Sequence, residues 1–376
     1  MEKVAIIDPV GIKAGMNGYD LGLLDALQKK KIEVFSFSNF KDARYQNIHQ
    51  KAFFLKEKKG SVTNIFNFLY AHFRVLFICK KDKIRWVILH LFSAASKDYF
   101  SYFVIKLFKI NIITIVHDIE SLSNEDNPRY RKKMYNWSSA LVVHNKTSKT
   151  LILPSLSETD KSKLVIIPHG NYIDFISADN SGNAFFPTLH FEKGVNYLLF
   201  FGQIKPAKGL DILLKAMAIL PENYKLIIAG RPHRDNFQEY ESIIRELKIT
   251  DKVIQFIRFI TDGERDFLFK HCDALILPYR KIFQSGVLLL SMSYGLPVVA
   301  SDLPANQEII QNKKTGMLFE EGNSADLAEK IIELFSGSSL NIIKQNAADV
   351  VQNKFSWQQI AESYISIIKE QRINKV

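Results

Sequence analysis

The stretch QSGVLLLSMSYGLPVVAS, residues 284–301, reads as a loop, a short apolar helix, a glycine stop and a buried strand. Ser285 and Gly286 open that helix, and no acidic side chain lies on it. A helix N-terminus presents unpaired N–H groups and a partial positive charge. Small residues leave the amides of 285–287, Val287 included, open to an anion, and Ser285 adds a hydroxyl. The arrangement suits a diphosphate; it also suits an ordinary serine N-cap. A second stretch, FFGQIKPAKGLDILLKAM (200–217), reads as strand, loop and helix. Gly202 ends the strand, and Lys208 and Gly209 open the helix. A lysine there opposes the macrodipole, so an anionic ligand would compensate it. In the first half, VHDIESL (116–122) puts His117 and Asp118 at a strand end. Such a histidine can be structural, and Asp118 could serve as a general base. The loop GIKAGMNG (11–18) carries Gly15 and Gly18, which permit close backbone approach or make a plain turn.

Alternating strands and helices must position these residues. KVAIID (3–8), IEVFSFS, WVILHLF (86–92), NIITIVH (111–117), ALVVHN (140–145) and KLVIIPHG (163–170) read as buried strands, with helices at 18–30, 62–79 and 97–109. Residues 176–194 lose the pattern. It restarts with YLLFFG, YKLIIAG, VIQFIRFI and ALILPY, interleaved with helices, and closes on a helical tail from about 356. This is the signature of parallel βαβ units. The expectation is α/β: an N-terminal Rossmann-like domain over 1–175, a linker over 176–194 and a second such domain over 195–355. Residues 356–376 form a helix whose Trp357 and Tyr364 could return to the first domain. Two doubly wound sheets bind ligands at strand carboxyl ends, so the expected site is the cleft where two such domains face each other.

Composition bounds the function. Hydrophobic residues make up 47% of the 376 and charged residues 24%, as in soluble globular proteins. No apolar run reaches the length of a membrane helix, and the N-terminus reads as no secretory signal. Cys79 and Cys272 are far apart and match no metal spacing, which fits a reducing, cytoplasmic setting. The first 175 residues hold 27 Lys+Arg against 16 Asp+Glu, and the remainder is balanced at 23 each. The first half therefore suits an anionic surface. No Asp-x-Asp pair occurs in the chain, and no cofactor is expected.

Together, FFGQIKPAKGLDILLKA and LILPYRKIFQSGVLLLSMSYGLPVVAS resemble the donor-binding domain of family-four glycosyltransferases, enzymes of GT-B fold. The resemblance implies transfer of a sugar, of hexosyl type, from a nucleotide diphosphate to an acceptor, without metal and with retention. It places Lys208 and the 285–287 amides on the donor diphosphate. Gln203 stands where an arginine is common, and Gly15 faces the donor. Tyr279, Arg280 and Arg231 complete the donor side. The family's two glutamates would fall at Ile282 and Leu290 and are absent. His117 matches a histidine near the transferred sugar, with Asp118 beside it. Met16, Asn17, His169 and Asn171, the last two in IPHGNY, are acceptor-side candidates. The absent glutamates keep two other readings open: a silent glycan- or nucleotide-binding relative, and a nucleotide-sugar epimerase of the same fold.

In SVTNIFNFLYAHFRVLFICKKDK (61–83), Val62, Ile65, Phe66, Leu69, Phe73, Leu76 and Phe77 follow helical spacing. Phe68, Tyr70, Val75 and Ile78 widen the arc. Lys56, Lys58 and Lys59 precede it; Lys80, Lys81 and Lys83 follow it. A broad apolar arc with basic flanks suits peripheral contact with an anionic bilayer through 56–83. It also suits a buried crossover helix. A polyprenyl-linked glycan acceptor would fit the first reading, at the inner face of the cytoplasmic membrane; the resemblance implies such acceptors in capsule and lipopolysaccharide assembly. Nucleic acid is not an expected partner, because the spacing does not interleave the aromatics with basic residues on one surface.

Overall fold

The structure is a computed structural model and describes residues 2–54, 62–119, 126–176, 186, 189–232, 237–337 and 340–373. It divides into two compact units: Met1–Gly170 with Phe355–Val376, and Asn171–Lys354. Of the expected linker, 177–185 and 187–188 lie outside the described residues, as do Lys56, Lys58 and Lys59.

The first unit carries strands β1 (Lys3–Asp8), β2 (Glu33–Ser38), β3 (His49–Ala52), β4 (Trp86–Leu91), β5 (Asn111–Val116), β6 (Ala140–Val143) and β7 (Leu164–Ile166). Its helices are α1 (Asn17–Lys29), α2 (Val62–Lys81), α3 (Ser96–Leu107), α4 (Pro128–Trp137), α5 (Lys146–Ile152) and α6 (Glu158–Lys161). All seven strands are parallel, in the order 3-2-1-4-5-6-7. Helices cover both faces of such a sheet, which is why runs like Val4–Ile7 are apolar without alternation and fully buried.

The second unit carries β8 (Asn196–Phe201), β9 (Tyr224–Ala229), β10 (Val253–Phe256), β11 (Ala274–Leu277), β12 (Val298–Ser301) and β13 (Met317–Phe319). Its helices are α7 (Leu210–Ile219), α8 (Gln238–Glu246), α9 (Asp262–His271), α10 (Gly286–Ser293), α11 (Pro304–Gln307), α12 (Ser324–Ser336) and α13 (Leu340–Lys354). The strands are again all parallel, in the order 10-9-8-11-12-13. The chain order therefore reverses between β1 and β4 in one unit and between β8 and β11 in the other.

Six elements escape the sequence pattern: β3, α4, α5, α6, α11 and α13. β3, HQKA, has no apolar run and adds to the sheet edge through its backbone. α4 is rich in charge, so its apolar period is faint. Its signal is local: Asn127 caps it, accepting from the N–H groups of Arg129 and Tyr130, and Pro128 fills the first position. α13 lies between the helix expected over 324–335 and the helical tail, where no element is expected. The strand expected over VIQFIRFI stops at Phe256, because its partner β9 ends at Ala229 opposite it.

The last helix, α14 (Trp357–Ile373), groups with the first unit. Trp357 lies against two glycines: a Cβ built on Gly22 or Gly170 would fall 2.4 or 2.1 Å from its ring. The Tyr364 hydroxyl meets that of Tyr19 at 2.9 Å. Helix α2 is apolar on both sides. Ala71, Val75, Leu76 and Cys79 pack into the core, with Phe68 and Ile78 at the margin. The opposite stripe is exposed, with Phe66 at 66%, Phe73 at 63% and Phe77 at 60%.

Candidate functional site

In open α/β sheets, ligands bind at strand carboxyl ends beside the reversal of strand order. In the second unit that place lies between β8 and β11. After β8 the chain turns at Gly202, φ +107°, where a Cβ would stand 3.9 Å from Val287 Cγ2, so this turn faces the start of α10. A 3-10 turn, Pro206–Lys208, ends at Gly209 with φ +64°. A Cβ on Gly209 would lie 1.8 Å from the Pro278 carbonyl oxygen, so only glycine lets the loop press on the end of β11. This seats Lys208 Nζ 3.6 Å over the centroid of the Tyr279 ring. The Tyr279 hydroxyl is buried beside the Ser285 side chain with no hydrogen bond of good geometry among the described residues; burial pushes its pKa up and Ser285 draws it partly back.

Arg280 braces the same loop. Its N–H donates to the Ala207 carbonyl at 3.0 Å, and its guanidinium donates to Asp211 Oδ1 and Oδ2 at 2.7 and 2.6 Å. Those bonds hold the Asp211 carboxyl below its usual range. The charge of Arg280 is thus already matched. Arg231 and Gln203 are exposed, and the Arg231 carbonyl accepts from the Ile204 N–H at 3.0 Å. Ser285 is a true N-cap: its hydroxyl accepts from the Leu288 N–H at 3.2 Å. The N–H groups of Gly286 and Val287 find no acceptor among the described residues, and the first turn holds no acid. The helix start is thus serine-capped, with the next two amides left open. Where the family's glutamates would stand, Ile282 is half-buried and Leu290 buried.

In the first unit the reversal lies between β1 and β4. Asp8, ending β1, accepts at Oδ1 from the N–H groups of Val10 and Gly11, both at 2.9 Å. That anchors the loop to Gly15, which has φ +70° and is exposed. Met16 is buried, and Asn17 is the first residue of α1. His90 Nε2 lies 2.7 Å from Asp20 Oδ1, and His90 Nδ1 lies 2.8 Å from His117 Nε2. His117 stacks on Phe92 at 4.4 Å between centroids. His144 Nδ1 donates to the Ile167 carbonyl at 2.9 Å, and His169 Nδ1 to the Gly170 carbonyl at 2.7 Å. Tyr19 packs against His90, His117, His144 and His169.

Burial dominates the electrostatics of this group. It pushes Asp20 up to about 7, with the Asp8 charge adding to it. It pulls His144 down to about 3 and His169 to about 4. His117 falls well below the ordinary histidine range, with His90 contributing after burial. Burial also opposes a charged His90, yet the charge and hydrogen bond of Asp20 outweigh it and hold that pKa up. Asp8, Asp20 and His90 offer ligand atoms within 4.8 Å of one another, a spacing a cation could bridge. A neutral Asp20, its pKa raised to about 7 chiefly by burial, also accounts for the same spacing.

The structure thus brings His117 and His169 into one buried group with Asp8, Tyr19, Asp20, His90 and His144, five residues that the motif reading missed. For Asp8, His90 and His144 a signal was present, an apolar strand carrying a lone acid or histidine near its carboxyl end, as in KVAIID, WVILHL and ALVVHN; Tyr19 and Asp20 lie on α1 and carry no such signal. Asp118 is half-buried, and its carbonyl accepts from Arg131 Nη1 at 3.0 Å. Asn171 falls in the second unit, where its Nδ2 donates to the Val351 carbonyl at 3.2 Å.

A family model described as "Glycosyl transferases group 1" matches residues 183–357. Residues 183–357 are thus similar to the group 1 glycosyltransferases. An uncharacterized glycosyltransferase of Methanocaldococcus jannaschii is 28% identical over 190 residues, 48% of this chain and 50% of that protein. A capsular polysaccharide biosynthesis glycosyltransferase of Staphylococcus aureus, CapM, is 22% identical over 246 residues, 63% of this chain and 64% of its own. The chain spans about half the length of the M. jannaschii relative. Among solved structures, Anabaena HepE in complex with UDP aligns over 98% of this chain and 100% of its own, with a TM-score of 0.74 and 17% identity. The two units together therefore have the GT-B fold.

Proposed function

We propose that this chain is a glycosyltransferase moving a hexosyl group from a nucleotide-diphosphate sugar to a glycan or polyprenyl-linked glycan in cell-surface polysaccharide assembly. The reading rests chiefly on the β8/β11 switch point. Lys208, the Gly286 and Val287 amides and the buried Tyr279 hydroxyl converge there, and the first turn of α10 holds no acid. These donors suit a diphosphate and would stabilise it as a leaving group. The bond from the anomeric carbon to the β-phosphate oxygen breaks, and one to the acceptor oxygen forms. With retention, the acceptor proton passes to the departing phosphate oxygen, so no enzyme base and no metal is invoked. HepE, similar in fold, was solved with UDP, which supports a uridine donor among the candidates.

The relative in capsule synthesis supports a surface-polysaccharide acceptor. The exposed stripe of α2 supports contact with a bilayer at the cytoplasmic membrane, where a polyprenyl-linked acceptor resides. The test is turnover. The chain is incubated with a panel of nucleotide sugars and a lipid-linked glycan fraction, without added metal, and nucleoside diphosphate release is followed. Release from one sugar nucleotide, dependent on the acceptor, supports the reading. Binding without release would favour a silent relative, in line with the missing glutamates. A changed sugar without acceptor would favour an epimerase.

A further inference from the structure

Helices α2 and α3 end side by side beneath the amino ends of β4 and β5, opposite the strand ends that carry the histidine group. Both end alike. Lys83 follows α2 with φ +57°, and Lys109 follows α3 with φ +56°. The next N–H in each case donates back to close the helix, Ile84 to the Cys79 carbonyl and Ile110 to the Ile105 carbonyl. Between the two ends lies a cavity of about 430 Å³. Lys80, Lys83, Arg85 and Lys109 line it, with Leu107 and Phe108 at its apolar side. No carboxylate lines it; Asp82, the only acid from 62 to 97, is not in its wall. None of the four cations forms an ion pair among the described residues. The walls continue into exposed apolar surface: Phe73 and Phe77 on α2, and Phe103, Leu107 and Phe108 on α3.

We infer that this cavity is a headgroup site for an anionic phospholipid. The four cations would take the phosphate, and the ridges of α2 and α3 would enter the acyl boundary on either side of it. Charge complementarity selects this occupant. A cavity with four unmatched cations favours an anion, and an apolar rim on two helices favours one attached to chains. A free phosphate would leave that rim in water. The inference rests on the membrane contact proposed above, and adds a defined binding site on a second helix.

The chain uses lysine with left-handed backbone elsewhere too, as at Lys248 after α8. That supplies a matched control. Asparagine adopts this backbone readily, so Lys83→Asn/Lys109→Asn removes two charges while keeping both helix ends. Full-length protein is sedimented with phosphatidylcholine vesicles, with and without phosphatidylglycerol, and isothermal calorimetry follows dihexanoyl-phosphatidylglycerol and inorganic phosphate separately. The wild type is expected to partition at least tenfold better onto the phosphatidylglycerol vesicles. The double variant should lose most of that gain, and Lys248→Asn none of it. The short-chain lipid should bind and inorganic phosphate should not. If the double variant partitions like the wild type, or Lys248→Asn loses as much, the pocket assignment falls while membrane contact stands. Phosphate binding as well as the short-chain lipid would replace the lipid by a soluble anion. If the wild type ignores both vesicles, membrane contact and this site fall together. Nucleotide binding by the second unit, read in parallel, keeps either failure distinct from a failure of the transferase reading.

Discussion

Lys208 owes its position to neighbours that carry no chemistry. Gly209 admits the loop against the Pro278 carbonyl, and the Arg280–Asp211 pair holds it there. Lys208 then lies over the Tyr279 ring. The Tyr279 hydroxyl separates a structural role from a binding one. It is buried without a hydrogen bond of good geometry, which costs folding energy on the order of 1–3 kcal/mol. Tyr279→Phe keeps the ring under Lys208 and removes that cost. Its expected melting temperature is equal to or above that of the wild type, while nucleoside diphosphate affinity falls severalfold. A loss of stability with unchanged affinity would make the hydroxyl structural. Lys208 was legible in the sequence because a cation before a helix start breaks a local rule, and Ser285 because small residues open a helix whose first turn holds no acid. Asp8, Asp20 and His90 were not, because their meaning comes from a sheet order that brings β1 and β4 together across a long stretch of chain.

Strand ends carry the next level of information. His144 and His169 sit at or just past the ends of β6 and β7 and are buried neutral, with pKa values of about 3 and 4. Unfolded histidine titrates near 6.5. Between those values the unfolded chain binds more protons than the folded one, so stability present above about pH 6.5 is lost as pH falls toward 3. Asp20 acts oppositely. With its folded pKa near 7 it binds a proton that the unfolded chain has released, so it favours folding most at low pH and loses that share as pH rises through 7. His117, also held well down, joins these two histidines, and the three outweigh Asp20 and Asp98, whose raised pKa values of about 7 and 6 act the other way. The melting temperature of the wild type should therefore fall from pH 6.5 to pH 4, and His144→Asn should flatten that fall. An unchanged slope in the variant would contradict the assignment. Helix α2 shows the limit of periodicity at this scale. The spacing announced a helix and a broad apolar arc, but it could not choose which of two apolar stripes faces the core. Packing chose the stripe with Ala71, whose small side chain permits close approach to the sheet.

At the scale of the whole molecule, the alternation of strands and helices announced two doubly wound sheets, and both are present. Among the elements it missed, β3 is defined by edge pairing, and α4, α5 and α6 by local caps, with no strong apolar period. The last helix belongs to the first unit although its sequence follows the second. Trp357 fastens it there by lying on Gly22 and Gly170. Trp357→Ala should cost about 3–5 kcal/mol, the usual range for a buried large aromatic. The loss should fall on the transition of the first unit, read by calorimetry, and leave nucleotide-protected melting of the second unit in place. A uniform drop in both transitions would contradict that assignment.

The central claim is that the start of α10 and Lys208 hold a diphosphate. Isothermal calorimetry of the purified chain with UDP, GDP, ADP, CMP and dTDP, without added metal, tests it most directly, with Lys208→Ala alongside. The account predicts micromolar binding of one diphosphate, weakened about tenfold or more in the variant, as loss of a charge-assisted contact implies. No binding by any of the five at high protein concentration, or binding indifferent to Lys208→Ala, would contradict it.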